Sequence, residues 1–309
     1  MHEEFGTPRT REEKVESLIH LYVDGGLPRR ELMRRLGRML GGSAAAATVL
    51  AQHGLAQVAP QACPASALVS ENDPAIEWRD VTYPGAEGVA YGLLARPRNQ
   101  TMALPGVLVI HENRGLVEHI RDVTRRAAKA GYVALGIDLL SRQGGTQAFN
   151  TDTLRTQAYG RTLAPDRFND MWAAIDYLKV QSGVQYDKIG AVGFCAGGGN
   201  IYYGAFHGLP LQAGVPFYGT PPAPLPPAEN LRFPILNIFS DTDRNQAARI
   251  PDLSAAFVAA RITWGLQLYK GTGHGFHNET SPVYNAAAAC DAWAKTIAFF
   301  DRHLKASAA

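Results

Sequence analysis

The sequence predicts an α/β protein built on a mostly parallel, doubly wound sheet with helices on both faces. Three observations carry that expectation. The runs at 106–110 (Gly-Val-Leu-Val-Ile) and 132–137 (Tyr-Val-Ala-Leu-Gly-Ile) are continuously apolar, as strands buried on both faces are. Stretches with apolar residues at 3.6 spacing lie between such runs, which is the alternation of parallel strand–helix–strand units. The residues able to do chemistry fall just after the strands, at the carboxyl ends where open parallel sheets bind their ligands.

In chain order, residues 1–67 read as an N-terminal extension and residues 68–309 as the folded domain. The extension holds one amphipathic patch at 15–23, where Leu18, Ile19 and Tyr22 share a helical face. Arg29 and Arg30 then precede an Ala/Gly-rich run at 39–51, the pattern of a twin-arginine export signal. Small-residue cleavage sites follow at Gly54-Leu-Ala56 and Ala65-Ser-Ala67. This predicts a periplasmic protein; the alternative is a cytoplasmic one with a basic amphipathic helix on its tail. Strands at 76–83 and 89–96 join through Pro84-Gly85 and Gly88 as a hairpin-like opening. Strand 106–110 runs into His111-Glu112-Asn113-Arg114-Gly115, and a helix over 117–130 stops at Gly131. Strand 132–137 delivers Asp138 and Arg142, and Met171, Ala174, Ile175 and Leu178 mark the next helix. A strand at 189–192 with its helix follows, then strand 212–218, the Pro-rich loop 221–227 and strand 233–239. Helix 251–260, strand 264–269 and a last helix over 284–304 complete the pattern.

Composition narrows the function. With 46% hydrophobic and 19% charged residues and a net charge of +2, the chain has no basic field for nucleic acid or a membrane surface. It also lacks a stretch of about 20 apolar residues able to span a bilayer. Cys63, Cys195 and Cys290 show no Cys-x-x-Cys spacing, so neither a disulfide framework nor a zinc ribbon is expected. No metal or cofactor is expected, and the protein is read as a monomer.

The central stretch is Lys188-Ile-Gly-Ala-Val-Gly-Phe-Cys-Ala-Gly-Gly-Gly-Asn200. A short buried strand runs into Gly193-Phe-Cys195-Ala-Gly197, the Gly-x-nucleophile-x-Gly elbow with cysteine as the nucleophile. The spacing has a physical reason: side chains at Gly193 and Gly197 would collide with neighbouring backbone in so tight a turn. The helix that follows offers free N–H groups and a positive dipole end, which favour a thiolate and an oxyanion. The bland alternative is a buried structural cysteine in a Gly-rich turn.

A thiol nucleophile needs a base within hydrogen-bond reach, and the base an orienting carboxylate. His274 sits in a Gly-flanked loop, and Asp243 follows the strand before it; Asp241 competes with Asp243 for the acid role. The order Cys195, Asp243, His274 is the nucleophile–acid–histidine order of the α/β-hydrolase fold. A metal site at His274 and His277 is the weaker alternative, because no further ligand pattern accompanies the pair.

Glu112 after strand 107–110, the elbow around Cys195, the Ser-Asp-Thr-Asp243 turn and Gly-His274-Gly-Phe-His-Asn together resemble the dienelactone hydrolase family, over residues 75–305. The resemblance implies a small lactone or ester as substrate, attack by Cys195 on its carbonyl, and a triad completed by Asp243 and His274. It implies that Glu112 contacts the thiol and helps generate the thiolate. Backbone N–H groups of Ala196 and Asn113 are the expected oxyanion hole. Arg142 matches one of two arginines that hold a substrate carboxylate in the family; the other position is Asn278, which cannot supply a charged fork. Two competing functions are a general short-chain carboxylesterase and a silent hydrolase scaffold whose Cys195 senses oxidants.

Overall fold

The computed structural model describes residues 10, 11, 14, 15, 18, 29–52 and 68–305. The chain divides into two compact units, Met1–Gln61 and Ala62–Ala309.

In the smaller unit, helices α1 (Arg29–Leu40) and α2 (Ser43–Gln52) turn on Gly41 and Gly42, both at positive φ. Leu32 and Leu36 of α1 bury against Ala46 and Leu50 of α2. Glu31 pairs with Arg34 and Arg35 along α1. Among the described residues no helix is long and apolar enough to cross a membrane. The two predicted cleavage sites and Cys63 lie outside the described residues.

The larger unit carries eight strands: β1 (Ile76–Pro84), β2 (Val89–Pro97), β3 (Leu104–Ile110), β4 (Val133–Asp138), β5 (Val184–Phe194), β6 (Ala213–Phe217), β7 (Ile235–Ser240) and β8 (Trp264–Tyr269). They form one sheet in the order β1-β2-β4-β3-β5-β6-β7-β8. The predicted hairpin is there: β1 and β2 pair antiparallel, and β2 pairs antiparallel with β4, while every other pairing is parallel. This mixed sheet with flanking helices is the α/β-hydrolase fold. Alternate residues of one strand enter opposite core layers, as period-2 geometry requires. Leu108 and Ile110 of β3 join one cluster, Val107 and Val109 the other.

The helices are α3 (Glu118–Lys129), α4 (Asp152–Gly160), α5 (Ala164–Lys179), α6 (Ala196–Phe206), the single turn α7 (Arg244–Ala247), α8 (Ile250–Ala260) and α9 (Ala286–Phe300). Two elements depart from expectation. Strand β5 begins five residues early, because Val184 and Gln185 pair with Leu104 and Pro105 ahead of a register shift at Pro105/Gly106. Helix α4 has no counterpart in the sequence reading: only Ala158 and Tyr159 are buried, so it carries no apolar stripe, and it starts on Thr151, whose hydroxyl accepts from the Leu154 N–H at 3.2 Å. The cysteine expectation also needs correcting. Cys290, on α9, is disulfide-bonded, and Cys195 is the free thiol among the described residues. A spacing rule sees neighbours in sequence, whereas a disulfide depends on proximity in the fold.

Candidate active site

Cys195 stands between the end of β5 and the start of α6 with φ 53° and ψ −112°, a backbone conformation that L-residues avoid. The turn is held from both sides: the Cys195 N–H donates to Phe217 O at 3.0 Å, and Cys195 O accepts from the Gly199 N–H at 3.1 Å. A Cβ on Gly193 would run into the Gly197 carbonyl, and one on Gly197 into the carbonyl of Ile110. The two glycines of the elbow are therefore required by the approach of backbone to backbone. Ala196 opens α6, so its N–H is among those a helix start leaves without a helical partner.

The residues read from the sequence as acid and base meet the thiol. His274 Nε2 lies 2.9 Å from Cys195 Sγ, and His274 Nδ1–H donates to Asp243 Oδ2 at 2.7 Å. The ring is 42% exposed. Burial pulls the His274 pKa down, but the hydrogen bond and charge of Cys195, together with Asp243, outweigh it and push the value up to about 9. Asp241 is placed differently: its Oδ1 accepts from the Gly271 N–H at 2.8 Å and anchors the loop after β8. Gln246, which no sequence signal picked out, donates from its main chain to Asp243 Oδ1 at 3.3 Å. Its buried side chain donates to Tyr218 O and lies 3.1 Å from His274 Nδ1. Tyr218, at φ 36°, stacks obliquely on His274 with ring centroids 5.2 Å apart.

Glu112 follows β3 and is 7% exposed. Its Oε2 accepts from Asn278 Nδ2 at 2.8 Å. Asn278 is itself 2% exposed and turns its Oδ1 to the main-chain N–H and hydroxyl of Thr280, at 2.9 and 2.7 Å. Asn278, expected at the substrate, thus spends one Nδ2–H on Glu112 and its Oδ1 on Thr280, and is itself buried. The neighbouring Asn113 is half-buried in the turn after Glu112. His111, fully buried, holds that turn: Nδ1–H donates to Glu112 O and Nε2 accepts from the Leu139 N–H at 2.9 Å. Burial lowers its pKa, which suits this neutral tautomer.

Arg142, expected to hold a substrate carboxylate, is engaged by carboxylates of the protein itself. Its Nε and Nη2 grip Asp170 at 2.9 and 3.1 Å, and Nη1 meets Glu87 at 2.6 Å and Asp166 at 3.7 Å. Asp166 and Asp170 sit one turn apart on α5, so both carboxylates face the guanidinium together. Three carboxylates surround one cation, and a substrate carboxylate there would enter a net negative site. His277, weighed as a metal ligand beside His274, is buried among Phe194, Phe217 and Trp293 with no hydrogen bond at either ring nitrogen. No group of three or more candidate metal ligands exists among the described residues.

The model of the dienelactone hydrolase family matches residues 90–304. A protein of Methylorubrum extorquens, provisionally named a carboxymethylenebutenolidase, is 30% identical over 72% of this chain and 80% of its own length. The chain belongs to the dienelactone hydrolase family. A crystal structure assigned to a dienelactone hydrolase of Klebsiella pneumoniae superposes with a TM-score of 0.67 at 26% identity, covering 74% of this chain and 99% of that one. A Bradyrhizobium protein, provisionally named a 2-oxo-3-(5-oxofuran-2-ylidene)propanoate lactonase, is 30% identical over 74% of this chain and 95% of its own. This dienelactone hydrolase relative is accordingly a carboxylic ester hydrolase, a hydrolase of lactones or esters.

Proposed function

We propose that the chain hydrolyses a small, uncharged lactone or carboxylic ester by covalent catalysis at Cys195. The observation that carries this reading is the unbroken line from Sγ through the imidazole to Asp243, at 2.9 and 2.7 Å. An imidazole with its pKa near 9 is protonated at neutral pH, which favours a thiolate beside it. The thiolate attacks the carbonyl carbon, and the N–H groups of Ala196 and Asn113 receive the oxyanion. His274 gives its proton to the leaving alkoxide, then takes one from the water that attacks the thioester. Asp243 keeps the ring in the Nδ1–H tautomer. Glu112, fixed by Asn278, accepts a proton from the thiol form when substrate displaces water. The preference for an uncharged substrate rests on Arg142, whose charge is answered by Asp166, Asp170 and Glu87.

p-Nitrophenyl acetate separates this reading from a thiol sensor. Sustained turnover that vanishes in Cys195→Ala and leaves a small remnant in Cys195→Ser is the expected result. A single stoichiometric burst, or full activity in the alanine variant, would sink it.

We also propose that residues 28–51 direct export to the periplasm, supported by Arg29-Arg30 ahead of the Ala-rich α2. Lysine at both arginine positions should retain the protein in the cytoplasm; equal fractionation of variant and wild type would overturn the idea.

A further inference from the structure

We propose that Glu279 is a positioning residue for the reaction at Cys195, anchoring the loop after β8 to α3 so that His274 and Asn278 reach their partners. The inference rests on the reading of Cys195 as the nucleophile.

One irregular stretch, residues 270–285, carries both His274 and Asn278. Its own main-chain hydrogen bonds are short-range: Phe276 N–H to Gly273 O at 3.2 Å, Asn278 N–H to Gly275 O at 3.0 Å and Ser281 N–H to Asn278 O at 2.9 Å. Local turns shape a loop but do not fix its place against other elements. Phe276 and His277 are fully buried. Apolar burial is non-directional, however, whereas a hydrogen bond requires alignment.

Glu279, the residue after Asn278, supplies the aligned contact. Its Oε2 accepts from His119 Nδ1–H at 2.7 Å and from Arg126 Nη2 at 3.4 Å. Both donors are buried and lie about two helical turns apart on one face of α3. The Glu279 side chain is only 18% exposed, so water competes little for the contact. Arg126 also pairs with Asp122, whose Oδ1 accepts the Val69 N–H at 2.6 Å.

The frame behind this anchor is the one that carries the chemistry. Ile120 and Val123 of α3 share an apolar cluster with Val107 and Val109 of β3, the strand that leads to Glu112. His119 packs edge-on against Phe194, the residue before Cys195, with ring centroids 5.7 Å apart. Asn278 and Glu279 thus grip two neighbouring elements with consecutive side chains, which fixes the loop in rotation as well as in place. Cutting the anchor lets the loop slide, and a shift of about 1 Å at a reacting group costs about 10²-fold in rate.

The test uses the full-length chain with p-nitrophenyl acetate, well below Tm, normalised to native thiol at residue 195. Glu279→Ala should lower kcat about 10- to 100-fold with KM within about threefold. Glu279→Gln, whose carboxamide oxygen still accepts from His119, should stay within about fivefold of wild type. His119→Phe keeps a ring against Phe194 and removes the donor. It should match Glu279→Ala, and the double variant should be no worse than either single. A second readout needs no turnover: the rate at which iodoacetamide alkylates Cys195 at pH 6, located by mass spectrometry, follows the thiolate that His274 sustains. That rate should fall about tenfold in Glu279→Ala and His119→Phe and hardly change in Glu279→Gln.

Unchanged kcat and alkylation in Glu279→Ala, with only Tm lowered, would make Glu279 a structural brace and overturn the inference. An equal loss in Glu279→Gln would assign the effect to charge and overturn the anchor. Should wild type show no turnover, or Cys195→Ala full turnover, the reading of Cys195 as nucleophile fails by itself. The alkylation rates then decide alone whether Glu279 sets the thiol–imidazole pair.

Discussion

His274 and His277 lie three residues apart in one loop and share almost nothing else. His274 is 42% exposed and has a partner at each ring nitrogen; His277 is fully buried and has none. Charge and hydrogen bonds lift the first to a pKa of about 9, while burial, with His119 and Arg126 nearby, drives the second well below the ordinary imidazole range. Residue type and sequence neighbourhood are the same, so the surroundings alone decide which histidine can move a proton. A buried ring without partners is held neutral as an aromatic filler against Phe194 and Phe217.

The comparison breaks most sharply in activity. His274→Asn should lower kcat/KM about 10³-fold or more, while His277→Phe, which keeps the aromatic packing, should change it less than about threefold. Equal losses in both variants would show that the two rings act together. Next in size is the pH profile. Asp243→Asn should cut kcat/KM about 10²-fold and move the alkaline limb from near pH 9 downward, since the lost carboxylate no longer holds the proton on His274. An unmoved limb would assign that ionisation to another group.

Asn278→Ala should cost about tenfold or more in kcat, because the buried Glu112 carboxyl group loses its hydrogen-bond donor. A purely structural asparagine would lower Tm and leave kcat per folded molecule unchanged.

The smallest effect is in stability, and its sign differs between the two rings. His274, raised when folded, contributes stability that is complete below the unfolded value and lost as pH rises through about 9. His277, lowered when folded, costs stability as pH falls below its unfolded value, because only the unfolded chain accepts the proton readily. His277→Phe should therefore raise Tm more at pH 5 than at pH 8, read by calorimetry. A uniform shift would mean that packing alone changed.

Sequence patterns were readable wherever backbone geometry restricts residue choice. The elbow is one case, since Gly193 and Gly197 are forced by carbonyls that approach them. The buried strands are another, because lying inside the sheet demands continuous apolar runs. Asp243 and His274 could be found from their order after β7 and β8. Contacts between distant residues left no such trace. Asn278 grips Glu112 across 166 positions, and Gln246 reaches Tyr218 across 28. One signal was there to be used: Asp166 and Asp170, one helical turn apart, form a twin carboxylate that answers Arg142.

The parallel half of the sheet sets out its side chains in chain order: Cys195 follows β5, Tyr218 follows β6, Asp243 follows β7 and His274 lies in the loop after β8. Neighbouring strands keep a spacing of about 4.8 Å fixed by their ladder hydrogen bonds. Offsets among these groups are thus set by strand pairing and hardly at all by the length of the connections. Inserting or deleting residues in a crossover, such as the Pro-rich stretch 221–227, can therefore leave sulfur and imidazole in register. A scaffold of this kind can change what it admits without rebuilding how it reacts.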